Sequence, residues 1–248
     1  MARISTLTST LVALLSVTGS SVSLANDGHP ADYSSACECQ SPYNGTRTIP
    51  VVVRDFKSSH PDFEAFQGVE YGIVKDQIGD DGRPEYAHTE AGKSATTTGK
   101  ANFDQWYRDV PGINMAIPLS LTLTEISPGF WQYSNNRFFP IDNQGFGNQG
   151  NRHNYHFTLE THLKFYYVAG GEFTFRGDDD VFLFINGKLA VDIGGVHGAL
   201  EKTIKLDEIA EQLGIEPNNT YSFDLFFAER HTVESNFQFQ TTLELECL

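Results

Sequence analysis

Basic residues are scarce in this sequence. Only 17 lysines and arginines stand against 32 aspartates and glutamates, a formal net charge of −15 at pH 7. That balance argues against nucleic acid and against anionic membrane surfaces as partners, since both attract cationic patches. It suits cation binding or plain solubility. Long apolar runs are also missing. Leu11 to Val17, LVALLSV, is too short to span a bilayer, and no later segment approaches the needed length. Membrane insertion is therefore not expected. Enzyme signatures are mostly absent: the chain has no H-E-x-x-H and no G-x-S-x-G. The AGKS run, Ala91 to Ser94, ends like a phosphate loop, but Ala87 stands where that motif needs its first glycine and no strand precedes it. The expectation is a protein that is not an enzyme. An acid/base carboxylate pair for glycoside cleavage stays open, because any acidic chain holds candidates.

What is present begins with an export signal. Arg3 supplies the positive start, the apolar run follows, and Ser23-Leu24-Ala25 places small residues where a signal peptidase reads. Residues 1–25 are read as a signal peptide, 26–48 as a polar leader and 49–248 as a single domain. The mature chain is expected to be soluble and secreted, extracellular or at a cell surface. Two sequons fit export and mark Asn44 and Asn218 as candidate glycosylation sites. Cysteines number three: Cys37, Cys39 and Cys247. In an oxidising compartment one of the first two is expected to pair with Cys247, stapling the ends of the domain. The odd thiol is then free or joins another chain. A thiolate metal site is the weaker alternative, as no nearby histidine completes it.

Hydrophobic periodicity organises the rest. IPVVVRDF, from Ile49 to Phe56, reads as the first strand. SSHPDFEAF offers a short helix, and Gly68 to Lys100 reads as loop. Phe103, Trp106, Tyr107 and Val110 recur at helical spacing until Pro111-Gly112. Thereafter the period is two: Ile117, Leu119, Leu121 and Leu123 alternate inward, and later segments repeat the pattern. VFLFING ends on Asn186-Gly187, a strong hairpin signal, and KLAVDIGG returns. DEIAEQLG reads as one short helix, with Asp207 as cap and Gly214 as stop. The fold class is all-β, an antiparallel β-sandwich with a few short helices in the loops. The 19 phenylalanines suit such a core.

Three constellations are candidates for chemistry. Asp178, Asp179 and Asp180 stand side by side before the apolar run VFLFI. Adjacent carboxylates repel, more so near apolar walls. Clustered hard oxygens on a loop suit calcium, and a solvated acidic turn is the plainer alternative. An EF-hand is excluded, since Leu189 occupies the twelfth position counted from Asp178. In VDIGGVHG, glycines including Gly195 bracket His197 and let backbone approach a ligand; taken alone, an ordinary turn that contains a histidine is the better reading. His197 itself is expected to be structural rather than a metal ligand, since calcium prefers oxygen. In FFAERHTVESNF, Glu229, Arg230 and His231 follow an apolar strand and precede Asn236. They are candidate ligand-binding residues, or a plain exposed loop with a structural ion pair.

Taken together, VVVRDFKSSHPDFE, FPIDNQGFGN, RGDDDVFLFINGKLAVDIGGVHG and FFAERHTVESNFQFQTTLEL resemble the fibro-slime domain, over roughly Ile49 to Glu246. That family occurs in secreted and surface proteins, including slime-mould signalling proteins. It is similar in turn to the protective-antigen-type β-sandwich of lectin-like adhesins, where two successive aspartates joined by a cis peptide hold calcium and the ion orients sugar hydroxyls. The resemblance implies that Asp178 and Asp179 are the calcium pair. Asp180, where the relative usually has glycine, is then a third ligand or a cap of the turn. The loop Glu229 to Asn236 would supply further ligands, Asn236 among them. Calcium is the implied cofactor, and an extracellular glycan or cell-surface glycoprotein the implied partner. A protein-interaction or signalling ligand on the same fold is the competing expectation.

Overall fold

The computed structural model describes residues 45–88 and 92–247. The expected signal peptide, nearly all of the leader, Cys37, Cys39 and Asn44 lie outside the described residues. The first part of the chain contributes β1 (Thr46–Phe56), β2 (Gly68–Val69), α1 (Lys100–Phe103), β3 (Asn114–Ser127), β4 (Phe130–Asn135) and β5 (Phe157–Tyr166). Next come β6 (Glu172–Gly177), β7 (Asp180–Ile185), β8 (Lys188–Ile193), β9 (Gly195–Val196) and β10 (Leu200–Lys205). α2 (Leu206–Leu213), β11 (Thr220–Glu229), β12 (Phe237–Thr241) and β13 (Leu245–Cys247) complete it. No helix among the described residues is long and apolar enough to cross a membrane.

The strands form an 11-stranded sheet in the order β10-β6-β12-β4-β3-β1-β5-β11-β7-β8, with β13 added to β5 and every pairing antiparallel. The sheet folds over on itself. Rings from strands that are not ladder neighbours meet across the interior: Phe173 of β6 with Phe223 of β11 at 5.3 Å, and Phe227 of β11 with Phe237 of β12 at 5.0 Å. The expected sandwich is therefore the fold, and its aromatic core fills the space between the layers.

A second, smaller core lies on the outer face of β7 and β11. Phe182, Phe184 and Phe226 are covered there by Ile73, Tyr86, Phe103, Trp106 and Tyr107. This explains why every residue of β7 is buried. The segment between β1 and β3 is thus a packed cover, with β2 pairing β9.

The Asn186-Gly187 hairpin is present, both residues taking positive φ of 51° and 72°. α2 ends on Gly214 in the left-handed conformation. Its N-cap, however, is Lys205, and the Asp207 carboxylate accepts from the Tyr167 hydroxyl at 2.6 Å instead of capping the helix. The first strand starts at Thr46, three residues into the expected leader. Neither early helix forms as expected. SSHPDFEAF is a series of turns: Glu64 takes a positive φ of 62° and its N–H donates to the Arg230 carbonyl. Among the described residues before Val110, only Lys100–Phe103 is helical. Beyond it the Asn114 amide caps the carbonyls of Gln105 and Arg108, so turns rather than a helix bring the aromatic residues onto β7.

Candidate binding site at the aspartate turn

Ladder register assembles the site. β6 ends at Gly177 opposite Phe237, and β7 begins at Asp180 opposite Ala228. The turn that joins β6 to β7, Asp178-Asp179, must therefore lie beside the β11–β12 loop. Asp179 makes the turn in the left-handed conformation, φ 58°, one that aspartate tolerates better than most residues. The described residues contain no cis peptide. The cis bond implied between Asp178 and Asp179 is absent, and the left-handed Asp179 reverses the chain in its place.

The three aspartates have three fates. Asp178 accepts from both the backbone N–H and the Nδ2 of Asn236, the latter at 2.9 Å. Asp179 accepts from the N–H of His197 at 3.1 Å and of Arg230 at 2.7 Å. Asp180 accepts from Arg230 Nε at 2.6 Å, Arg230 Nη2 at 3.1 Å and the Gly195 N–H at 2.6 Å. Arg230 is itself fully buried. It also donates to the Thr96 and Asp62 carbonyls and lies 4.7 Å from the Trp106 ring. One aspartate of the three is thus neutralised by a buried cation. Asp178 and Asp179 form no direct ion pair, although the Arg230 charge still draws on Asp179.

Those two carboxylates line a cleft of about 470 Å³ together with Glu229, His197, His231 and Val233. The Glu229 side chain is 1% exposed, and its Oε2 has no hydrogen-bond partner. Burial, reinforced by the charges of Asp179 and Asp178, raises the Glu229 carboxyl well above its ordinary range. Burial likewise pushes Asp179 up to about 8, against the pull of Arg230 and with the push of Asp180. Burial raises Asp178 too, its Asn236 bonds opposing. The cleft floor is an acidic cluster short of compensating positive charge.

The expected site residues therefore divide. Asp178, Asp179, Glu229 and His231 face one cleft. Asn236 holds Asp178 in place. Arg230 and Asp180 pair away from the cleft, beneath the cover segment. Gly195, φ 101°, is packed so closely that an added Cβ would fall 2.1 Å from the Gly68 carbonyl oxygen; it serves the β2–β9 ladder. His197 lines the cleft, and its backbone N–H holds Asp179. Among the described residues no three of His, Cys, Asp and Glu form a ready-made metal cluster. Sequence reasoning missed the wall formed by Gln67, Gly68 and Val69. The signal for it was VFLFI, an unbroken apolar run that needs a cover on both faces.

Curated relatives match most of this chain in sequence. Protein psiR of Dictyostelium discoideum is 40% identical over 207 residues, 77% of this chain and 20% of that protein. Protein psiC is 35% identical over 227 residues, 85% of this chain and 43% of the relative. The chain is a homologue of the psi proteins. It spans 20% of psiR, 19% of psiQ and 39% of psiD, well under two thirds of each. No protein-family model matches. Solved structures give distant likenesses. The PA14 domain of the antifreeze protein MpAFP has TM-score 0.33 at 11% identity, covering 75% of this chain and 78% of that one. The PA14 sugar-binding domain from an RTX adhesin has TM-score 0.32 at 10% identity, covering 73% and 95%. A subtype-switched epithelial adhesin A domain from Candida glabrata, in complex with β-lactose, has TM-score 0.34 at 12% identity, covering 81% and 84%.

Proposed function

We propose that this chain is a secreted carbohydrate-binding or adhesion domain of fibro-slime type, working through a calcium ion to which Asp178, Asp179 and Glu229, not gathered into a ready-made cluster, would supply carboxylate oxygens. The observation that carries the reading is the Glu229 Oε2 atom, buried and without a hydrogen-bond partner beside two carboxylates that form no direct ion pair. Burying uncompensated carboxylates is costly, and a divalent ion removes that cost. The donor set is hard oxygen, which suits calcium. Calcium takes six to eight oxygens, more than these side chains provide, so water or ligand hydroxyls complete the shell. When bound, the ion supplies positive charge and open coordination positions; a vicinal diol offers two oxygens to fill them. Asn236 and the His197 and Arg230 N–H groups fix the orientation of the two aspartates, and the bond-free Glu229 oxygen is the donor left to the ion. This is binding chemistry, not catalysis.

A glycan array with the secreted protein, run in millimolar calcium and again in chelator, tests the reading. Sugar binding that chelator abolishes is the expected result. Release of reducing sugar, or capture of protein partners that free sugar does not inhibit, would overturn it.

A further inference from the structure

We infer that the mouth of this cleft selects a neutral saccharide that presents a methyl group beside its hydroxyls, and that Val69 and Val233 recognise that methyl. The inference rests on the calcium-and-sugar reading of the same cleft and adds the ligand class to it. Val69 is 47% exposed and Val233 is 74% exposed, and both line the cleft whose floor is Asp178, Asp179 and Glu229. A single exposed valine needs no explanation. Two on one cleft, from segments far apart in sequence, form an apolar element of that cleft. Val69 is held there by its ladder pairing with Gly195, and the buried Val196 lies in the same wall.

The shape of the lining narrows the class. Among the described residues no Trp, Tyr or Phe lines the cleft; its flat rings are the two smaller imidazoles of His197 and His231, and its apolar side chains are Val69, Val196 and Val233. Branched aliphatic side chains accept a compact apolar group, and the compact apolar group of a saccharide is a methyl. Gln67, His197 and His231 provide polar contacts around it. Glu234 adds a further negative charge at the lining, which disfavours acidic sugars by like-charge repulsion. The methyl has two chemical sources, a 6-deoxy carbon or an acetamido group.

Matched sugar pairs separate the outcomes. In calcium, calorimetry or saturation-transfer NMR compares L-fucose with L-galactose, which differ at the 6-deoxy carbon, and N-acetylglucosamine with glucose. Burying one methyl predicts a preference on the order of fourfold for the methyl-bearing member of at least one pair. The pair that shows it identifies the source. Val69→Ser and Val233→Ser, at exposed positions, are expected to erase the preference together while calcium affinity stays as in the unmodified protein. Equal, calcium-dependent binding of both members of both pairs overturns the methyl inference and leaves the calcium-and-sugar reading standing. A preference that survives both substitutions overturns the assignment to these valines. Calcium binding with no sugar bound at all overturns the sugar reading and this inference with it.

Discussion

At the residue scale, three adjacent aspartates are tolerated because each is bonded differently. Strand alternation sends Asp180 to the covered face, where Arg230 meets it, while the turn residues stay at the rim. Breaking one partner of such a buried pair leaves the other charge uncompensated. Arg230→Met is therefore expected to cost about 3–5 kcal/mol, read as a lower urea midpoint. Arg230→Met with Asp180→Asn should recover part of that loss, because the stranded carboxylate is gone. No recovery in the double variant would show that the carbonyl bonds of Arg230, to Asp62 and Thr96, matter more than the ion pair. Which aspartate is compensated by what was not legible in the sequence. The triplet announced a conflict of charges, but Arg230 lies 50 residues from Asp180, and only the β7–β11 register brings them together.

At the element scale, the strands with a clean period of two were legible, as was the Asn-Gly hairpin, because both depend on short-range chemistry. The cover segment was not. Its Phe103, Trp106 and Tyr107 spacing mimics a helix, yet tertiary packing against Phe182, Phe184 and Phe226 decides its path. Glu64 shows the same limit: its left-handed φ is held by bonds to His156 at 2.7 Å and to Thr232, none of them local. The two-residue β2 was equally hidden, since so short a strand has no period to read. Its attachment is testable through Gly195. Gly195→Ala places a Cβ against the Gly68 carbonyl oxygen and in a backbone conformation that L residues avoid. The β2–β9 ladder is expected to open, seen as faster amide exchange at Gly68 and Val69 and a wall lost from the cleft. Unchanged exchange there would contradict the close packing described.

At the scale of the whole molecule, a buried charge network ties β1, β5 and β11 together. Glu160 of β5 is fully buried and meets Arg54 and Arg83, each at 2.9 Å, while His162 meets Asp224 at 2.8 Å. Burial opposes ionisation of Glu160, but His162, Arg54 and Arg83 override it and bring the carboxyl down to about 2. Burial also opposes the charge on His162, yet Asp224 and Glu160 lift it to about 9. The depressed carboxyl contributes stability above its ordinary value of 4.5, lost as pH falls toward 2. The raised imidazole contributes stability that is full below 6.5 and lost as pH rises through about 9. His162→Gln should therefore lower the melting midpoint most at pH 5–6, by about 2–4 °C for each kcal/mol lost, and the difference from the unmodified protein should shrink by pH 10. A difference that does not change with pH would contradict the network. The far end of the domain carries Cys247; its expected pairing with Cys37 or Cys39 involves residues outside the described ones.

The proposed calcium ligands Asp178, Asp179 and Glu229 are tested by a melting curve in calcium and in chelator, for the unmodified chain and for Glu229→Gln. Glutamine keeps the shape of the buried side chain without its charge. For the unmodified chain, calcium at about 100 times its dissociation constant should add about 2.7 kcal/mol and raise the midpoint by several degrees. Glu229→Gln should melt no lower than the unmodified chain in chelator and should lose most of the calcium gain. Identical midpoints in calcium and chelator for the unmodified chain, with no bound ion by calorimetry, would contradict the account and leave the turn an acidic rim held by Asn236 and backbone donors alone.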